Sequence, residues 1–260
     1  MGCIGSRVSY FIINEKLQTP PPPPPNIPDI QIDWPSLSIR DKTGAFIDEI
    51  TILNNTSNSA SSSSQYQLLD NKVMRFNQNN HIRMREGIPR LLKDYQGDMT
   101  MIYHGASKVT SGISFLLNMM NWFGQITGWV IKVNETGYET VVGRLSGHQL
   151  QPIGNIPVNL PFKNLHTISF SYTERYTAND SKMEVYWDGI KLNETISPYS
   201  PIRWDTGDNI YIGRFGNQFI NGISYVNNLK VYKKAFTSQE MLDEHTSIPT
   251  GLTQFETDTA

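Results

Sequence analysis

Hydrophobic positions along this chain recur mostly with a period of two. The stretch AFIDEITIL alternates, and KVMRFN, HIRMR, DMTMIYH, GISFLLNMM, GWVIKVN, YETVVGRL, HTISFSYT, KMEVYWDGIKLNETI, NIYIGRF and NLKVYKK follow as short runs rich in β-branched and aromatic residues. Each is bounded by Gly, Asn, Asp or Pro, which is the signature of a long antiparallel series of strands. Alternation sends Ile168, Phe170 and Tyr172, then Val185 and Trp187, then Ile210 and Ile212, then Leu229, Val231 and Phe236 to a common interior. In VYWDGIKL the Asp-Gly pair predicts a type I′ hairpin joining strands 183–187 and 190–196, because that turn needs φ > 0 at both central residues. Only FTSQEMLDEH, with Thr237 or Ser238 as N-cap and Glu240 following, reads as a helix. GISFLLNMMNWFGQITGWVI is apolar enough to suggest a membrane span, but Asn118, Asn121, Gln125 and three glycines interrupt it, and it reads as consecutive strands.

The first 40 residues differ in kind. Pro20, Pro21, Pro22, Pro23, Pro24 and Pro25 form an unbroken run that must adopt extended polyproline II, a stiff spacer. Ile30, Ile32, Trp34, Leu37 and Ile39 follow it, and a pure linker needs no such residues, so part of this arm is expected to dock. The expected organisation is an arm over 1–40, a sandwich over 41–249 and a tail over 250–260. The polar run NNTSNSASSSSQ is a surface loop between strands or capping an edge.

Several motifs in order carry a family resemblance. LHTISFSYT followed by KMEVYWDGIKLN is similar to the strand and hairpin of laminin-G-like, concanavalin-A-like and pentraxin-like jelly rolls, and NIYIGRF…NGISYVNNLKVYKKAFTSQEM to their closing pattern. KVMRFNQNNHIRMR and DMTMIYHG resemble their early strands. The resemblance implies an all-β antiparallel jelly-roll β-sandwich with one short C-terminal helix. It also implies two activities to look for. Glycan-cleaving relatives carry Glu-x-Asp-x-x-Glu on one strand, which this sequence lacks; adjacent Asp48 and Glu49 point to opposite faces. Calcium-binding relatives place acidic ligands where this chain has Asn227 and Asn228, a poor set for a hard cation, although Asp180, Asp188, Asp205 and Asp208 in turns keep calcium as the one cofactor to test.

Composition narrows the function classes. The 260 residues carry a net charge of −2, which gives no field to attract nucleic acid or an anionic membrane face. Cys3 is the sole cysteine, so neither a disulfide within the chain nor a zinc site with two thiolates is available. The five histidines show no metal or catalytic spacing, and no nucleophile motif is present. The chain is therefore expected to be non-enzymatic. Arg83, Arg85, Arg90 and Lys93 cluster in HIRMREGIPRLLK, a pattern that a solvated strand face explains. Five N-glycosylation triplets, starting at Asn54, Asn55, Asn134, Asn179 and Asn193, fit the Asn- and Thr-rich composition better than sugar attachment, since no secretory signal is visible.

The reading these features support is a structural or adhesion protein, a lectin-like sandwich mounted on a larger assembly by its arm. Residues 1–19 show only short apolar runs and no export signal, so folding in a host cytoplasm is expected. A virion-surface or minor capsid protein reconciles that with a fold used outside cells, its partners being capsid proteins held through the arm, Trp34 included. A free carbohydrate-binding module is the alternative, with Trp122, Trp129, Asp205, Asp208 and Asn217 as candidate sugar contacts. A glycan-cleaving enzyme using carboxylates from separate strands is the weaker one. Finally, MGCIGS fits the Gly2 myristoylation pattern, and Cys3 could accept a second acyl chain, the two signals that stable membrane attachment needs. Lipid attachment to a membrane from the cytoplasmic side is then the alternative location.

Overall fold

The computed structural model describes residues 26–55, 66–77, 79–85, 95, 97–109, 114–121, 127–134, 137–143, 151–157, 165–174, 181–197, 209–215, 218–219 and 222–248. Its strands are β1 (Ile30–Asp33), β2 (Ser38–Asp41), β3 (Phe46–Asn54), β4 (Tyr66–Leu69), β5 (Val73–Asn77), β6 (Asn80–Arg85), β7 (Met99–Val109), β8 (Ser114–Asn121) and β9 (Thr127–Asn134). Then come β10 (Gly137–Gly143), β11 (Gln151–Pro157), β12 (His166–Thr173), β13 (Ser181–Trp187), β14 (Ile190–Ser197), β15 (Asn209–Ile212), β16 (Arg214–Phe215), β17 (Gln218–Phe219) and β18 (Gly222–Tyr232). One helix among the described residues, α1 (Ser238–Thr246), follows. Among the described residues no helix is long and apolar enough to cross a membrane.

The strands form an antiparallel β-sandwich. One layer runs β14-β13-β12-β7-β18 and continues past β18 as β5-β4 on one stretch and β1-β2 on another. The other runs β3-β6-β15-β8-β9-β10-β11. β3 belongs to both: Phe46, Asp48 and Glu49 pair with β2, while Ile50 to Asn54 pair with β6. The core lies between the layers, where Met101, Tyr103, Phe170, Val185 and Leu229 meet Ile52, Ile82, Ile131, Ile210 and Trp129. The expected inward set is buried, and all but Phe236 share this one cluster; Phe236 packs instead under α1 with Ile102, Tyr186, Tyr232 and Met241.

Local chemistry explains the connections. Asp188 and Gly189 take φ of 49° and 77°, closing β13 and β14 as the Asp-Gly pair predicts. Thr237 and Glu240 make a reciprocal capping box at α1. β11 is a strand that periodicity does not reveal, because QPIGNIP carries two prolines and a glycine; among the described strands it pairs with β10 alone, and an edge position tolerates residues that cannot donate to a ladder.

The sandwich starts earlier in the chain than composition suggests. Ile30–Asp33 and Ser38–Asp41, placed in the arm by sequence, are paired strands, joined by a turn in which Leu37 N–H donates to Trp34 O (3.0 Å) and Pro35 occupies the position its fixed φ suits. Trp34, expected to hold a neighbouring protein, is instead only 3% exposed in this chain's own core. It is fixed there by a break in β18. Register slips between Val226 and Asn228, and in the gap between β5 and β1 Trp34 Nε1–H donates to Asn227 O (2.6 Å) while Ile32 N–H donates to Asn228 Oδ1 (3.1 Å). The docking expected of Ile30, Ile32 and Ile39 is therefore intramolecular. Pro20 to Pro25, Gly2 and Cys3 lie outside the described residues.

Candidate functional site

The outer face of the β3-β6-β15 layer brings polar and aromatic side chains together beside the buried Leu53, His81 buried and Arg83 and Tyr211 partly so. Ile82, Met84, Ile210 and Ile212 are buried in the core, so strand alternation turns His81, Arg83 and Tyr211 outward. Register brings them together: Thr51 pairs with Arg83, Arg83 with Tyr211, and Leu53 with His81. Tyr211 and Arg83 are half-buried.

Arg214 joins them because Gly213 interrupts the alternation. Regular strand geometry would send Arg214 to the core side, but Gly213 sits at φ 84°, and the Arg214 guanidinium instead lies 5.3 Å from the centre of the Tyr211 ring. A Cβ at residue 213 would come 2.8 Å from the buried Phe76 ring. Gly213→Ala is therefore expected to cost about 2 kcal/mol, from left-handed strain plus overpacking, and to shift the denaturant midpoint accordingly.

His81 organises one side of the group. It is fully buried; its Nδ1–H donates to Asn55 Oδ1 (2.6 Å), and its Nε2 accepts from Arg214 Nη1 (3.3 Å). An amide oxygen can only accept and a guanidinium can only donate, so this pair of contacts requires the neutral ring. Burial lowers the His81 pKa to about 4, and the positive charges of Arg214 and Arg83 add to the effect. His104, buried in the other layer, is lowered to about 3, first by burial and then by Lys230.

Both histidines protonate near pH 6.5 in the unfolded chain but well below that in the folded one. The unfolded state then binds more protons below pH 6.5, so their contribution is complete above that value and is lost as pH falls towards 4 for His81 and 3 for His104. Between pH 7 and 5 each is expected to remove about 2 kcal/mol. Urea unfolding across that range should show the loss, and His104→Gln should reduce the slope.

Two other polar groups are structural in character. Asp188 accepts from His166 Nδ1–H (2.8 Å) and from Thr167 N–H (2.9 Å), and lies 3.4 Å from His245 Nδ1, which ties the β13–β14 turn to β12 and α1. Asn227 donates through Nδ2 to Lys72 O (2.9 Å) and accepts at Oδ1 from His104 (3.4 Å), so it braces the β18 irregularity, as Asn228 does through Ile32. Among the described residues no group of three His, Cys, Asp or Glu side chains could hold a metal ion.

Of the expected sugar contacts, Trp129 is fully buried and tilted against Phe170 across the sandwich (6.2 Å between rings), where no ligand in solvent reaches it. The ring is core because Trp129 falls on the same alternation phase as Ile131 and Val133. Trp122, Asp205, Asp208 and Asn217 lie outside the described residues. Sequence reading passed over Tyr211, His81 and Arg214. The signal that finds them is YIGR, where a glycine placed two residues after an outward aromatic shifts the following arginine to the aromatic's side.

No protein-family model matches the sequence, and no curated protein matches it. Solved structures do resemble the fold. The botulinum neurotoxin serotype D binding domain superposes with a TM-score of 0.59 at 9% identity, covering 84% of this chain and 51% of that one. The receptor-binding domain of the C/D mosaic serotype gives 0.60 at 8% identity, covering 85% and 51%. A serotype D ligand-binding domain solved in complex with N-acetylneuraminic acid gives 0.59 at 9%, covering 85% and 50%. This chain thus spans about half the length of each, and at such identity the likeness shows one thing, a shared antiparallel β-sandwich.

Proposed function

We propose that this protein is a non-enzymatic, lectin-like adhesion module of the laminin-G-like and concanavalin-A-like jelly-roll type, recognising glycan on the outer face of the β3-β6-β15 layer. The observation that carries the reading is the half-buried Tyr211 ring bordered by Arg83 and Arg214 on a sheet face. A sugar needs an aromatic surface for its C–H face and fixed polar groups for its hydroxyls, and both are present within one turn of the sheet. The neurotoxin domain solved with N-acetylneuraminic acid adds a precedent for that sugar as ligand of a protein that shares the sandwich.

Presentation on a larger assembly, such as a virion surface, fits the same design. Asn26 and Asp29 are tied to Lys234 and to the Lys233 N–H, so the chain before them leaves from a fixed point and the proline run would act as a tether. Capsid proteins at the far end of that tether, or a membrane reached through acyl chains on Gly2 and Cys3, are the attachments proposed. A glycan array probed with the purified protein, with and without calcium, tests the lectin reading: binding by the parent that Tyr211→Ala abolishes is expected. An array with no binding under either condition would sink it.

A further inference from the structure

We infer that this face is selective for acidic sugars, and that Arg83 reads the carboxylate. The inference rests on the lectin reading and adds the class of ligand. Arg83 stands half-buried on the outward face of β6, and its Nε is buried without a hydrogen-bond partner. Among the described residues no carboxylate pairs with it. A guanidinium stays charged at every physiological pH, so partial burial without a counter-charge leaves a desolvation cost that an anion would offset.

Among the described residues the neighbours do not supply that anion: Glu49 shares the strand phase of Thr51 but forms no ion pair with Arg83. The cross-strand row through the site reads Thr51, Arg83, Tyr211, Asn118 and Val130, without an acidic residue. The adjoining pair is Leu53 and His81, and His81 is held neutral by its two contacts. Arg214 adds a second positive charge beside the ring. The face therefore offers positive charge and an aromatic surface within a chain whose net charge is −2. A planar guanidinium fork matches a carboxylate in two parallel hydrogen bonds, and the neighbouring tyrosine ring suits the sugar that bears it.

Calorimetric titration of the full chain with sialyllactose and a hyaluronan oligosaccharide, against neutral lactose and chitotriose, tests this. At least one acidic sugar is expected to bind, and its methyl ester, which keeps the shape and removes the charge, should bind as weakly as the neutral sugars. Arg83→Gln is expected to weaken acidic-sugar binding about 10- to 100-fold, the effect of losing a charge-assisted hydrogen bond, while leaving the urea midpoint in place. Arg83→Gln binding the acidic sugar as the parent does would overturn the role of Arg83. Equal affinity for acidic and neutral sugars would overturn the selectivity yet keep the lectin reading, whereas no binding of any sugar here or on the array would remove both.

Discussion

Trp34→Ala is expected to destabilise the sandwich by about 3–5 kcal/mol, the range for deleting a large aromatic from a packed core. Trp34 lies in the main core cluster, and its indole N–H closes a 2.6 Å bond to Asn227 O across the break in β18. Truncation would leave a cavity between the β1–β2 hairpin and β18 and strip the Asn227 carbonyl of that donor, so both terms act in one direction. Urea unfolding followed by tryptophan fluorescence and circular dichroism measures the change. A midpoint within error of the parent would mean that residues 30–41 are dispensable to the domain, and the β1 and β2 pairing would have to be abandoned.

Glu244→Ala is expected to cost a similar 3–5 kcal/mol, because it breaks a buried ion pair and strands its partner. The Glu244 carboxylate receives Lys230 Nζ at 2.7 Å and Tyr232 O–H at 2.5 Å, and all three side chains sit at the interface of α1 with β18. Burial first, and then the nearby Glu244 charge, push the Tyr232 pKa well up, so the phenol stays a donor at any pH the fold survives. For a domain of this size each kcal/mol moves the melting temperature by about 2–4 °C, so a loss of about 6–20 °C is expected by calorimetry. Lys230→Met combined with Glu244→Leu should recover much of it, since removing both charges avoids the stranded ammonium. A single variant that melts with the parent would show that α1 is held by its apolar contacts alone.

The fold was legible where burial is one-sided or continuous. Strands such as HTISFSYT and KMEVYW carry their identity in alternation and β-branched content, and Asp188-Gly189 in turn chemistry. What escaped did so for physical reasons. β1 and β2 follow a proline run, and four residues each give too little periodicity to outweigh that composition. Trp129 looked like a ligand platform because a lone tryptophan near glycines reads the same inside or outside; only its pairing on β9 fixes which face it takes. The candidate site was half visible. Arg83 stood out as charge, but Tyr211 and Arg214 gain meaning only when β15 is laid against β6, a contact between residues more than a hundred positions apart.

The strand shared by both layers also sets a mechanical route through the molecule. A pull on the chain ahead of Asn26 would load the contacts of Asn26 and Asp29 with Lys234 and Lys233 and then β1. From β1 one branch enters β18 and another passes by hydrogen-bonded ladders through β2 and β3 to β6, and from β6 to β15. Residue 30 and the strand that carries Tyr211 thus lie on one continuous path of paired strands. An adhesion module strained between its tether and its ligand would carry part of the load in strand ladders, through the strand the two layers share, as well as through the core packed between them.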